Sequence, residues 1–287
     1  MTSFALPRPP QFTLAESSAF LAGFRAVTAT CGEHGLDLTF ALDGGWQPVG
    51  LHLSESGDAL RVDILANPES ATTHDVQRNL ARLLGLTLDF DRYRAIGERD
   101  PIVGRLQRDN PAVRPVLFPT AWEAAVWSIL SQRTRRVQAV AIKRRLAETC
   151  GTAVTTSSGT VIHGFPGPES VRGLTEIRGL PLQKIEWMHG LAEAAMMGTL
   201  DCDELAAMSQ SEGMRALQKI PGIGPFSAEL ILARGAGNPD IFPMHEPMLH
   251  DIMTRLYGTA ETRQHQQIAE TWRPSRSWVS FLLRVSS

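Results

Sequence analysis

The chain has 287 residues, 43% of them hydrophobic and 20% charged, with a formal net charge of −2; this is the composition of an ordered protein of about two domains, without low-complexity tracts. Its N-terminus, MTSFALPRPPQF, lacks a basic start followed by an apolar run, and no stretch of about eighteen apolar residues occurs. Both features argue against a signal peptide and a membrane span, and a cytoplasmic protein is expected. Cys31, Cys150 and Cys202 are too widely spaced for a zinc or cluster site and read as reduced thiols.

Charge is unevenly spread. Residues 1–112 carry 10 Lys/Arg against 14 Asp/Glu, whereas 113–287 carry 18 against 16. A polyanion should therefore meet the second part, although the balance of the whole chain does not advertise one. In the first part, LDLTFAL (36–42), PVGLHLS (48–54) and ALRVDIL (59–65) alternate apolar and polar residues between GG and SGD turn signals, which predicts an antiparallel meander. A helix is expected at about 73–86, where Val76, Leu80, Leu83 and Leu84 share a face. From about 113 the period is helical. TAWE (120–123) reads as a capping box, with Thr120 accepting from the Glu123 N–H and the Glu123 carboxylate reaching back. A buried helix through Ile129 and Leu130, the polar SQRTRR (131–136) and a helix to about Thr149 follow. Further helical patterns run through 181–197, 203–219, 225–235, 247–257 and 266–285.

The stretch LQKIPGIGPFSAEL (217–230) breaks this periodicity. Leu217 and Ile220 close one helix, Pro221 to Gly224 turn the chain, and Pro225 suits the first helical position because its missing N–H would be unpaired there anyway. Such a turn exposes backbone N–H groups at a helix N-terminus, a phosphate site that needs no basic side chain; the other reading is a plain tight turn between helices.

The LxxIPGIGPxxA pattern resembles the helix-hairpin-helix element of DNA-binding proteins. Together with WEAAVWSILSQRTRRVQAVA, RGLPLQKIEWMHGLAEAA, LARGAGNPDIFPMHEPMLHDIMTRLYG and AETWRPSRSWVSFLLR, it resembles the 3-methyladenine DNA glycosylase II (AlkA-type) branch of the helix-hairpin-helix glycosylases from about residue 88 to the end. The resemblance implies an α+β fold with an N-terminal antiparallel β-sheet domain with helices, followed by two all-α helix-hairpin-helix glycosylase subdomains flanking a cleft. The expected divisions are a β-rich domain over 1–90, a helical domain with the hairpin over 113–230, and a second helical subdomain from 91–112 and 231–287 carrying the reacting carboxylate. The implied partner is double-stranded DNA containing a damaged base, bound by a monomer.

Aligned by Asp240 and Phe242, DIFPMHEP places Glu246 where the family has a catalytic Asp. A carboxylate there would stabilise the oxocarbenium character that grows on the sugar as the N-glycosidic bond breaks, or orient the attacking water. The plainer reading of Glu246 is a solvated residue ahead of Pro247, with Asp251 and Asp240 as other carboxylates nearby. The implied base pocket comprises Phe226, Leu230, Pro247, Trp278 and Arg284; Leu230, Pro247 and Arg284 stand where relatives often carry aromatic rings, and Trp272 and Trp278 equally fit a buried core. SQRTRR aligns with the loop that fills the hole left by a flipped base, with Arg133 as the wedge and Gln132, Thr134, Arg135 and Arg136 as support, or else as a solvated basic loop. Pro221, Gly222, Ile223 and Gly224 are the expected DNA-gripping turn. The backbone carbonyls of Gln218, Ile220 and Ile223 would hold a Na or K ion, as the family hairpin often does, and no other cofactor is required. No Lys follows Lys219 and no Cys follows Cys202, so neither a lyase lysine nor the C-terminal iron–sulfur cluster of some cousins is expected. The function implied is that of a monofunctional base-excision-repair glycosylase that flips and hydrolytically releases alkylated, 3-methyladenine-like bases. A catalytically weakened homologue that binds damaged DNA, or a glycosylase for another damaged base, stays open because Glu replaces Asp.

Overall fold

The computed structural model describes residues 3–24, 26–32, 35–67 and 71–286. The first strand, β1 (Ser3–Pro7), leads to helix α1 (Leu14–Gly23) and then to β2 (Ala29–Gly32), β3 (Gly35–Ala41), β4 (Pro48–Ser56) and β5 (Ala59–Ala66). These form one antiparallel five-stranded sheet in the order β1-β5-β4-β3-β2. The three strands predicted from alternation lie at its centre, and β1 and β2 are the edges. On one face Leu36, Leu38, Phe40, Leu51, Leu53 and Val62 are buried. Asp37 and Thr39 are buried on the other, where Ser157 Oγ donates to Asp37 at 3.0 Å, so the sheet is covered on both faces at these positions.

Helices α2 (Thr73–Leu83), α3 (Phe90–Arg99), α4 (Pro101–Asp109), α5 (Ala121–Ser131) and α6 (Arg136–Cys150) follow. The small hairpin β6 (Ala153–Thr155) and β7 (Val161–His163) precedes α7 (Pro168–Arg172), α8 (Leu182–Met196), α9 (Cys202–Ala207), α10 (Gln210–Leu217) and α11 (Pro225–Leu230). The last continues as a wider π-type turn over Ile231–Ala236, after which come α12 (Pro247–Tyr257), α13 (Thr262–Glu270) and α14 (Arg276–Val285). Among the described residues no helix is long and apolar enough to cross a membrane.

Three local expectations need correction. The pattern at 203–219 is two helices, because Ser209 caps α10 in a reciprocal capping box with Glu212. The pattern at 266–285 is also two, since Pro274 lacks the N–H that a continuous helix requires. At TAWE only half of the box forms. Thr120 Oγ1 accepts from the Glu123 N–H at 3.0 Å, but the Glu123 carboxylate turns inward and accepts from Lys143 Nζ at 2.6 Å. Both side chains are buried, so the charge finds its partner in the neighbouring helix and not at its own N-terminus.

Two apolar clusters organise the chain. One joins the sheet to α2, α5, α6, α8 and the segment through Ile241. The other gathers Tyr93, Ile96, Val103 and Leu106 from α3 and α4 with Phe242, Leu249, Ile252, Trp272, Trp278 and Leu282. Ile231 and Leu232 belong to the first cluster, so in the C-terminal part the chain passes to the second at 241–242, having entered and left it once before through α3 and α4.

Candidate active site

Residues from α1, α5, α6, α11, α12 and α14 line a cavity of about 640 Å³. Glu246, Phe226, Leu230 and Arg284 are on its wall. Three residues of the expected pocket and the expected catalytic carboxylate thus meet, from three separate elements. Trp278 is not among the lining residues: it is 1% exposed and stacks on Tyr93 with ring centroids 3.9 Å apart, as part of the second cluster. Pro247 is also absent from the wall and faces outward as the first residue of α12. Both follow from helix geometry, since Leu249 on α12 and Ser280 on α14, which line the cavity, each come two residues after these two and so lie about 200° around the helix from them.

Glu246 is the N-cap residue of α12, yet its side chain makes no capping bond. Its Oε2 instead lies 2.8 Å from Arg284 Nη1, with the two side chains 23% and 35% exposed. Arg284, expected to replace an aromatic pocket wall, is therefore the counter-ion of the candidate reacting carboxylate. Asp240 is engaged elsewhere, in ion pairs with Arg273 and Arg276.

The sequence left unnoticed much of what builds this cavity. Its aromatic surface comes from Phe20 and Phe24, near the end of α1, with Trp127 and Phe281. The Arg234 guanidinium lies 5.3, 5.2 and 5.0 Å from the Phe20, Phe24 and Phe281 ring centroids. Burial, and then the Arg284 charge, push Arg234 down to about 10. A second carboxylate also faces the cavity: Glu229, 2% exposed. Its Oε2 accepts the His245 backbone N–H at 2.9 Å and its Oε1 meets His245 Nδ1 at 2.8 Å. Burial raises the Glu229 carboxyl above its ordinary value, and the bonds from His245 oppose that rise. The only signal in the sequence was a carboxylate in an apolar helix, FSAELILA.

Beside the cavity, the SQRTRR loop and the PGIG turn lie against one support. Arg133 is exposed and has φ +50°, an uncommon conformation for a side-chain-bearing residue. Beneath it Lys184 Nζ donates to the carbonyls of Leu130 and Gln132 at 3.1 and 2.7 Å and to Thr134 Oγ1 at 3.1 Å. Gln132 Nε2 donates to the Gly222 carbonyl at 2.7 Å, tying the loop to the turn. Gly222 has φ +86°, and a Cβ on it would sit 2.8 Å from Trp187. Lys184 and Trp187 are three residues apart on α8, hence on one face, so a single helix end buttresses both loop and turn. Gly224 caps α11 with φ −90° and open space around it. The Ile220 carbonyl accepts the Ile223 N–H at 3.1 Å and retains a second lone pair.

No family model matches the chain. It is 26% identical over 203 residues to the DNA-3-methyladenine glycosylase of Bacillus subtilis, covering 68% of this chain and 66% of the relative. It is 29% identical over 180 residues to DNA-3-methyladenine glycosylase 2 of Escherichia coli, covering 61% of each. The chain thus spans less than two thirds of either relative's length. The fold matches that of the 3-methyladenine DNA-glycosylase from Archaeoglobus fulgidus with a TM-score of 0.78, at 24% identity over 98% of this chain and 96% of that one. It also matches the 8-oxoguanine glycosylase/lyase of Clostridium acetobutylicum with a TM-score of 0.72, at 13% identity over 100% of this chain and 96% of that one. The chain is thus similar in sequence to named DNA-3-methyladenine glycosylases, at 26–29% identity, and shares its fold with solved DNA glycosylases.

Proposed function

We propose that the protein is a monofunctional DNA glycosylase of base-excision repair, releasing alkylated, 3-methyladenine-like bases from duplex DNA by hydrolysis. The observation that carries this reading is Glu246 on the wall of a cavity that also holds Phe226 of the hairpin helix. The two helical subdomains would flank this cleft, with the turn from Pro221 to Gly224 at its rim and Arg133 in the space vacated by the flipped nucleotide. The bond from C1′ to the base nitrogen would break first, its electron pair leaving with the base, and water would then form its bond to the sugar C1′. Glu246 would stabilise the positive charge between those events and receive the proton of the attacking water. Water is the fitting nucleophile because, of the three lysines, Lys143 and Lys184 are committed to Glu123 and to the loop carbonyls and Lys219 is not among the residues lining the cavity. The carbonyls of Gln218, Ile220 and Ile223 are neutral oxygen donors suited to a hard monovalent cation, which would bridge the turn to a DNA phosphate.

The Arg284 pair supports a second reading, a damaged-DNA-binding protein with little catalysis, because a neutralised carboxylate stabilises an oxocarbenium ion less. Abasic-site formation in alkylated duplex DNA separates the two. Glu246→Gln should abolish base release and leave duplex affinity within about twofold, because the amide keeps the shape and loses the charge. A wild-type protein that binds but releases no base from any alkylated duplex would establish the second reading.

A further inference from the structure

We propose that Glu229 is a positioning residue for Glu246, coupling the hairpin helix to the carboxylate through both the main chain and the side chain of His245. The inference rests on the reading of Glu246 as the reacting group. The segment from Asn238 to Glu246 has little regular structure and is fastened point by point. Asn238 Nδ2 donates to the Leu205 and Met208 carbonyls, Ser277 Oγ accepts the Ile241 N–H, and Gln210 bonds both backbone groups of Phe242. These anchors come from α9, α10 and α14 and the turns beside them, away from the DNA-gripping turn. Glu229 differs in origin, since it projects from α11, whose first residue Pro225 follows that turn. It also acts on His245, the residue adjacent to Glu246.

The geometry excludes a simple packing role. A buried carboxylate is costly unless its oxygens are bonded, and here each oxygen has its own bond to His245. One bond orients the Met244–His245 peptide, the plane that leads into the residue before Glu246. The other holds the imidazole, which is 47% exposed and would otherwise swing freely. Freed from this grip, the Glu246 carboxylate could shift by an ångström, and a displacement of about 1 Å in a reacting group can cost roughly 10²-fold in rate. A change in the tilt of α11, as when the turn seats on a phosphate, reaches Glu246 by this route.

Two substitutions distinguish positioning from chemistry. Glu229→Met removes both acceptors while keeping the volume, whereas Glu229→Gln retains an acceptor for the peptide N–H, and its amide can donate to Nδ1 in the other imidazole tautomer. Single-turnover base release should fall at least about tenfold in Glu229→Met, with duplex affinity within about twofold, and Glu229→Gln should recover most of the rate. Equal loss in both variants would make Glu229 itself the reacting carboxylate, and no loss in either would make it a bystander; both results overturn the proposal. Hydrogen exchange at the His245 amide, read in the full chain without DNA, should quicken in Glu229→Met and stay near wild type in Glu229→Gln. This readout stands even if the wild type proves inactive, and unchanged exchange would also overturn the proposal. Should Glu229→Met not fold, His245→Ala, which removes only the imidazole bond, should slow base release by a few-fold without altering duplex affinity, and an unchanged rate would count against the proposal.

Discussion

Glu246 and Arg284 form the residue-scale question for this protein. An ion pair this exposed contributes only about 0–1 kcal/mol to stability, so its effect lies in the charge presented to the cavity. Arg284→Gln should leave thermal stability almost unchanged while raising base release by about three- to tenfold, because the carboxylate is no longer matched by a guanidinium 2.8 Å away. Single-turnover rates on alkylated duplex DNA, alongside thermal melts, check both halves. A fall in rate would instead give Arg284 a role in holding Glu246 in place. The position of Glu246 could be read from the register of DIFPMHEP against the family motif, but its partner could not, because Arg284 comes from a different helix with no local pattern linking the two.

At the scale of elements, the hairpin shows how much a local sequence can specify. Pro225 opens α11 as expected, and Leu217 and Ile220 are buried beneath the turn. The two glycines nevertheless differ. Gly222 combines a left-handed φ with a packed neighbour, Trp187, whereas Gly224 has an ordinary φ and open space. Gly222→Val should therefore lower stability by about 1–3 kcal/mol and weaken binding to damaged and undamaged duplexes alike. Gly224→Ala should fold normally and bind nearly as well, which thermal melts and duplex titrations would show. The chain-order readings of β3, β4, β5, α2 and α12 succeeded for the same reason as the hairpin: each has its apolar spacing within a single segment. The edge strand β1 and the helix α1 were missed because SFALP and LAESSAFLAG carry short or weak periodicity, and their stability comes from the sheet and from the aromatic contacts of Phe20 and Phe24.

For the whole molecule, the N-terminal part contributes more than a scaffold. Phe20 packs against Phe281 with ring centroids 5.1 Å apart, so α1 and α14 close one side of the cavity together. Phe20→Ala should reduce base release by about tenfold or more, since stacking a base on an aromatic ring is worth about 1–3 kcal/mol. Affinity for undamaged duplex should hold, because the turn and the Arg133 loop lie on other elements. Comparing single-turnover rates with undamaged-duplex affinity tests this; parallel losses in both would mean that Phe20 serves the fold alone.

The sequence by itself determined the central strands, the Thr120 cap, the helix-breaking turn and its proline, and the register that places a carboxylate ahead of α12. All of these depend on interactions within a few residues, whose spacing is visible along the chain. Tertiary structure alone decided which charges meet and which rings face the cavity. Glu123 left its own helix N-terminus for Lys143, Glu229 found His245, Glu246 found Arg284, and Lys184 reached back 52 residues to the Gln132 carbonyl. A charged group entering a low-dielectric interior must take whichever partner the packed helices bring within hydrogen-bond reach, and that choice is made by helix placement, to which no local pattern in the sequence corresponds.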